Sequence, residues 1–394
     1  MIHFFFVNCT GNQRLLQPKA RQPMPYLLDN IQRLVRDLKS EPLPALPGRL
    51  AAIVRPKLIR LWEEAAHRSR LGSLLARPYT GKGVVLMFHE VHSNVDAELR
   101  TGCGIGQTAR IIRAVRAAGR DIVTIDEGLR RLAEPDSRPF ALLTFDDGYL
   151  DNRDNALPLL EQAEAPMTIF VPTEMITREI YAWWLALREM VKSNDMVDVS
   201  AMERRFSCGD FASKAAAIRQ VTLWVGTDQA RAEALAPTFA RYRMDIPALV
   251  DRYVMSEEQL RDFSRHPLVT VGGHTRSHRF LTGLDEADAR AELQSNKSYL
   301  ERLLDRPVDH VAYPYGSAGA CGEREAALAA EAGFRTGFTT RPGHLFASHL
   351  EHRHLLPRID IGYAPQSASA LASRLNGLHR LLSAGFVHPV ATLS

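Results

Sequence analysis

Residues 140–149 read FALLTFDDGY, and the reading of this stretch decides the fold. Phe140 to Phe145 form an apolar run of strand length that stops at two carboxylates and a glycine. Six further runs of the same kind follow or precede it: 84–88 (VVLMF), 167–171 (MTIFV), 268–272 (LVTVG), 309–313 (DHVAY), 334–339 (FRTGFT) and 355–361 (LLPRIDI). Helical patterns over 107–118, 153–164, 285–304 and 322–332 lie between most of them. In the third, Asp285 is placed as N-cap, with Leu293, Leu300, Leu303 and Leu304 inward. Strands alternating with helices pair in parallel, so the class is α/β.

The alternation breaks once. Residues 173–263 carry Trp183, Trp184 and Trp224 and read mostly as helix, a helical insertion into the main body. The tryptophan pair either packs beneath that insertion or shapes a groove. Residues 1–80 read as an N-terminal helical segment. Leu27, Ile31, Leu34, Val35 and Leu38 share a helical face there, and a second helix spans 49–68. Residues 81–365 form the main domain, and 366–394 a last helix (Ala368–Leu382) with a tail.

Composition narrows the function classes. The 394 residues are 45% apolar and 24% charged, as in ordinary globular proteins, which excludes bulk disorder and collagen-like structure. A formal charge of +4 is too small on this length to argue for nucleic acid. Cys9, Cys103, Cys208 and Cys321 form no CxxC pair, and a reducing compartment is expected. The apolar run at 2–7 is too short for an export signal or a membrane span, so a cytoplasmic location is expected, with Met24 as an alternative start.

Polar residues gather where the runs end. His89 follows the first, Asp146 and Asp147 the second, His274 and His278 the fourth, and Tyr315 and Gly316 the fifth. In a parallel barrel the C-terminal strand ends share one face, and that face carries the chemistry. Adjacent carboxylates leaving a strand can divide the tasks of holding a cation and accepting a proton. Taken alone, Asp146-Asp147-Gly148 is equally a surface turn. Two imidazoles at i and i+4, on a helical turn, suit one Zn²⁺ together with an aspartate; taken alone they are two solvated loop histidines. In Tyr313-Pro314-Tyr315-Gly316 a free Tyr315 N–H can donate to an oxyanion, though taken alone the motif is a plain strand-ending turn; His89 can protonate a leaving amine, though taken alone it is a structural histidine. A second histidine cluster, His344, His349, His352 and His354, reads as a solvated loop, with a second metal site as the alternative.

In this order the motifs resemble the polysaccharide deacetylases of carbohydrate esterase family four, relatives of the nodulation-type chitooligosaccharide deacetylases. The resemblance covers residues 83–172 and 264–362. It implies a distorted (β/α)7 barrel, with Asp146 as general base, Asp147, His274 and His278 as ligands of Zn²⁺ (Co²⁺ or Ni²⁺ also fit), and the Tyr315 amide as oxyanion hole. Two departures stand out. The arginine that opens the family's third motif is missing before Tyr313, and Arg358 is the substitute to orient Asp146. The family's Leu-x-His motif is missing after Ile361, while Met87-Phe88-His89 stands on the first strand. This is similar to the circularly shifted order of the biofilm poly-N-acetylglucosamine deacetylases, and makes His89 the acid. The function implied is metal-dependent removal of N-acetyl groups from an amino-sugar glycan. The alternatives are another amide or cyclic-imide hydrolase on the same barrel, or a non-catalytic glycan-binding module.

Overall fold

The computed structural model describes residues 76–93, 99, 102–361, 367–383 and 390–391. The helices expected over 26–40 and 49–68, the apolar run 2–7, Met24 and Cys9 lie outside them. Seven parallel strands form the frame: β1 (Gly83–Phe88), β2 (Phe140–Asp146), β3 (Met167–Val171), β4 (Val269–Gly273), β5 (His310–Ala312), β6 (Thr336–Phe338) and β7 (Ile359–Asp360). They are neighbours in chain order, with registers such as Leu86↔Leu143, Phe145↔Ile169, Ile169↔Val271 and Val311↔Gly337. Strands β1, β2 and β3 are buried along their whole length, because a parallel sheet is covered on both faces.

The last run joins the two edges of the sheet. Leu356 pairs with Phe338 of β6, while Ile359 and Asp360 pair with Leu86 and Met87 of β1. Pro357, which has no N–H, stands between the two pairings, so a strand expected over 355–361 is regular only at its end. The first half of β1 is covered instead by the antiparallel pair His344–Leu345.

Side-chain parity separates two cores. Phe140 and Leu142 join Val85, Phe170, Phe338 and Leu356 in the barrel interior. Leu143 and Phe145 face the other way, toward the helices, with Ile111, Leu160 and Leu293. Thr144 and Asp146 share the inward parity of Leu142, which carries a carboxylate to the top of the interior. Each large apolar side chain removed from water contributes roughly 1.5–3 kcal/mol.

At four places the structure adds to the expectations or corrects them. The insertion holds its helices but also an antiparallel hairpin, Met196–Val199 with Arg204–Ser207, where Val197 and Val199 alternate into its own core. The C-terminal helix is two, Ala368–Leu375 and Leu378–Ser383, broken at Gly377 (φ +82), whose added Cβ would lie 2.4 Å from the Tyr79 carbonyl oxygen. A short strand, Asp121–Ile122, and a helix, Ile125–Ala133, precede β2. Finally, His344 and His349 are buried rather than solvated. Among the described residues, no helix is long and apolar enough to cross a membrane.

The His344 ring is spoken for on both nitrogens. Nδ1 accepts from Gly81 N–H (3.1 Å), so Nε2 carries the hydrogen that meets the Arg374 carbonyl (2.7 Å). Burial holds His344 at about 4 against an ordinary 6.5, and His310 likewise. Above pH 6.5 both folded and unfolded chains keep these rings neutral. Between 6.5 and 4 the unfolded chain takes up protons first, so stability falls as the pH falls, and the loss levels off below about 4. Denaturant midpoints measured across this range are expected to drop with acidification, with a shallower slope in His344→Gln; equal slopes would contradict the assignment.

Candidate active site

Asp146 ends β2 inside the barrel and meets Arg358 from the closing run. Nη1 donates to Oδ1 at 2.7 Å and Nη2 to Oδ2 at 2.8 Å, a two-pronged pair in which Arg358 is wholly buried. Arg358 is itself held by Nε donating to the Thr339 carbonyl (3.0 Å), with its guanidinium over the Phe170 ring (5.6 Å). Burial opposes ionisation of Asp146. The Arg358 charge, and then His274, outweigh it and hold the carboxyl at about 2.

Asp147 leaves the strand in the left-handed region (φ 75), followed by Gly148 (φ 73), so successive carboxylates diverge. Asp147 Oδ1 lies 3.3 Å from His278 Nε2 and 3.6 Å from His274 Nε2. One ligand atom from each of the three residues lies within 4.8 Å of the other two. The loop carrying the histidines is not the helical turn expected from their spacing. Thr275 (φ 63) and His278 (φ 56) turn it, and this brings the rings to 5.0 Å between centroids. The Ala312 carbonyl at 2.7 Å from His274 Nδ1 orients that ring and leaves Nε2 as a lone-pair donor. Burial depresses both imidazoles to about 4, and keeps them neutral at physiological pH. Burial also raises Asp147, against the charges of His89 and His274.

This donor set fits a metal ion. Asp147 Oδ1 is buried with no hydrogen-bond donor among the described residues, although two neutral ring nitrogens surround it. Two imidazoles and a carboxylate are the donors that Zn²⁺, Co²⁺ or Ni²⁺ accept.

His89 follows β1 and lines the same 420 Å³ cavity as Asp146, Asp147, His274, His278 and Tyr315. Asn152, in a π-helical turn, donates to the His89 carbonyl (2.7 Å). Tyr315 (φ 63) and Gly316 (φ 54) make a tight turn in which an added Cβ on Gly316 would lie 2.5 Å from Thr340 N. Thr340 Oγ1 donates to the Tyr315 carbonyl (2.6 Å), which fixes the peptide. His89, Asp146, Asp147, His274, His278 and Tyr315 therefore line one pocket, while Arg358 lies buried behind Asp146 and outside its lining. The wall of the insertion adds Trp184, half-buried, whose Nε1 donates to the Tyr149 hydroxyl (3.0 Å), while Trp183 packs edge-on against it in the insertion core.

Sequence reasoning missed the supports. Glu292 accepts from Ser277 N–H (2.8 Å) and Ser277 Oγ (2.6 Å), and Asn296 donates to the Val171 carbonyl and Thr173 Oγ1. Both are buried on helix Glu286–Leu304, four residues apart. Two polar residues at that spacing beside the inward leucines were the available signal.

A family model described as polysaccharide deacetylase matches residues 133–202 and 222–337. The chain carries a polysaccharide deacetylase domain. The match begins after His89 and ends before Arg358. Among curated proteins, the chain is 25% identical over 92 residues to YxkH of Bacillus subtilis (strain 168), which is 23% of this chain; the match spans about a third (32%) of YxkH. Similar solved structures include the deacetylase PplD of Streptococcus pyogenes in complex with acetate (17% identity, 74% of this chain and 97% of that one, TM-score 0.49). Another is IcaB from Ammonifex degensii (19%, 75% and 97%, TM-score 0.47).

The Asp146–Arg358 pair is expected to be strongly coupled. Arg358→Leu should cost about 3–5 kcal/mol of unfolding free energy, because it strands a buried carboxylate. Arg358→Leu with Asp146→Leu should recover much of that loss. Equal losses in chemical denaturation would show that no such coupling exists.

Proposed function

We propose that this deacetylase hydrolyses the N-acetyl group of an amino-sugar glycan, with a divalent metal ion held by Asp147, His274 and His278. What supports the reading above all is the pair of adjacent carboxylates in opposite circumstances. Asp146 is locked by a guanidinium, and Asp147 is turned to two neutral imidazoles. A cation bound there supplies Lewis-acid polarisation of the acetyl carbonyl and acidifies water.

Everything else is work for the chain. Asp146, kept ionised by Arg358, accepts the proton of the water that adds to the carbonyl carbon. The Tyr315 N–H donates to the carbonyl oxygen as negative charge develops there, a contribution of about 3 kcal/mol for one such donor. His89 gives a proton to the nitrogen as the C–N bond breaks, and acetate and a free amine leave. Arg358 works at one remove: it aims Asp146 and stays clear of the substrate.

Acetate release from N-acetylglucosamine oligomers, both β-1,4- and β-1,6-linked, tests the reading. Asp146→Asn should lose about 10³-fold in kcat while metal analysis still finds the ion, and Asp147→Ala should lose the ion as well. Chelation should abolish turnover, and Zn²⁺, Co²⁺ or Ni²⁺ should restore it. His89→Asn should cost about 10²-fold on the amide and much less on 4-nitrophenyl acetate, whose leaving group needs no proton. Undiminished activity in Asp146→Asn would refute the base. A wild type that binds no metal and releases no acetate would leave a glycan-binding module.

A further inference from the structure

The insertion sends a charged side chain into the cavity, and the reaction outlined above makes no use of it. On helix Trp183–Ser193, Trp184, Leu187 and Arg188 share one face and line the cavity that holds the candidate metal ligands. Arg188 is 4% exposed. Its Nη1 donates to Glu90 Oε2 at 2.7 Å, and Glu90, which follows His89 directly in the chain, is 1% exposed. The Tyr253 ring covers one face of the guanidinium (4.6 Å to the centroid). Nη2 and Nε are buried with no hydrogen-bond acceptor among the described residues, and Glu189 Oε1 stands at ion-pair distance from Nε (3.5 Å) without a hydrogen bond.

Buried guanidinium donors without acceptors are costly, and an arginine beside a cavity meets that demand through an oxygen that enters with water or ligand. Glu90 already balances the Arg188 charge, Glu189 flanks it and Asp360 lines the same cavity, so an anionic group would meet repulsion there. A neutral acceptor oxygen fits. Resting on the proposed function, we infer that Arg188 reads the substrate: its open edge donates to a ring hydroxyl of the amino sugar, and the insertion thereby sets glycan specificity. The Glu90 carboxylate holds that guanidinium in place.

Arg188→Lys is the informative variant, because an ammonium still balances Glu90 but has no second N–H edge. Steady-state kinetics on the full chain with Zn²⁺ supplied compares the N-acetylglucosamine oligomer that the wild type turns over with 4-nitrophenyl acetate, which has no sugar. KM for the oligomer is expected to rise about tenfold with kcat changed less than about threefold, and the loss in kcat/KM should be much smaller for the ester. The double variant Glu90→Gln/Arg188→Met, which removes the charge pair together, should give the same split should the single variant fold poorly. An unchanged KM in a folded variant overturns the inference and leaves the guanidinium hydrated only. Equal losses on both substrates also overturn it, because they mark a purely structural role. A wild type active on the ester and on no sugar oligomer overturns the functional reading, and this inference with it.

Discussion

The buried pair between Asp146 and Arg358 is the constraint on which the rest of the site depends. Taking a carboxylate and a guanidinium out of water costs several kcal/mol for each ion, and only a well-aligned, doubly bonded contact offsets it. Here both oxygens are met below 2.9 Å, and the arginine is anchored a third time on the Thr339 carbonyl. The contact spans the barrel from β2 to the closing run, so it stabilises the ring and sets the protonation state of one carboxylate at the same time. Its neighbour Asp147 has no such partner and is turned away by a positive φ. One dipeptide thus yields two carboxylates with opposite pKa shifts.

Four of the ten described non-glycine residues with positive φ belong to the turns that build the pocket. Asp147, Thr275, His278 and Tyr315 all occupy the left-handed region, which costs side-chain-bearing residues about 1–3 kcal/mol each where the geometry is least favourable. The surroundings hold them there. Glu292 ties the histidine loop to a long helix, and Thr340 clamps the Tyr315 peptide. Rigid strands bring the candidate ligands close, and these turns aim them.

Much of this was legible before any coordinates. The apolar runs announced strands because burial on both faces demands it, and the residues just past their ends converge because parallel strands all point one way. Arg358 was found as a replacement for a missing motif arginine, and its place inside the ring follows from two-residue alternation with Leu356. What escaped had physical causes. The histidine spacing suggested a helical turn, but i,i+4 periodicity is silent about positive-φ turns. The His344 cluster looked solvated because polar residues in a loop usually are, yet the imidazole has two nitrogens and both found backbone partners. Glu90 and Arg188 gave no local pattern, since they are 98 residues apart in the chain.

Chain order adds a temporal aspect to the closing run. Asp146 is synthesised 212 residues before Arg358. Until that final segment emerges and docks between β6 and β1, the carboxylate has no counter-ion and the wall remains open. A polypeptide cut short ahead of residue 358 would keep both histidines and both aspartates and still lack the guanidinium that orients Asp146. Completion of the barrel and pairing of the Asp146 carboxylate are therefore one event, and both wait on the same late segment of chain.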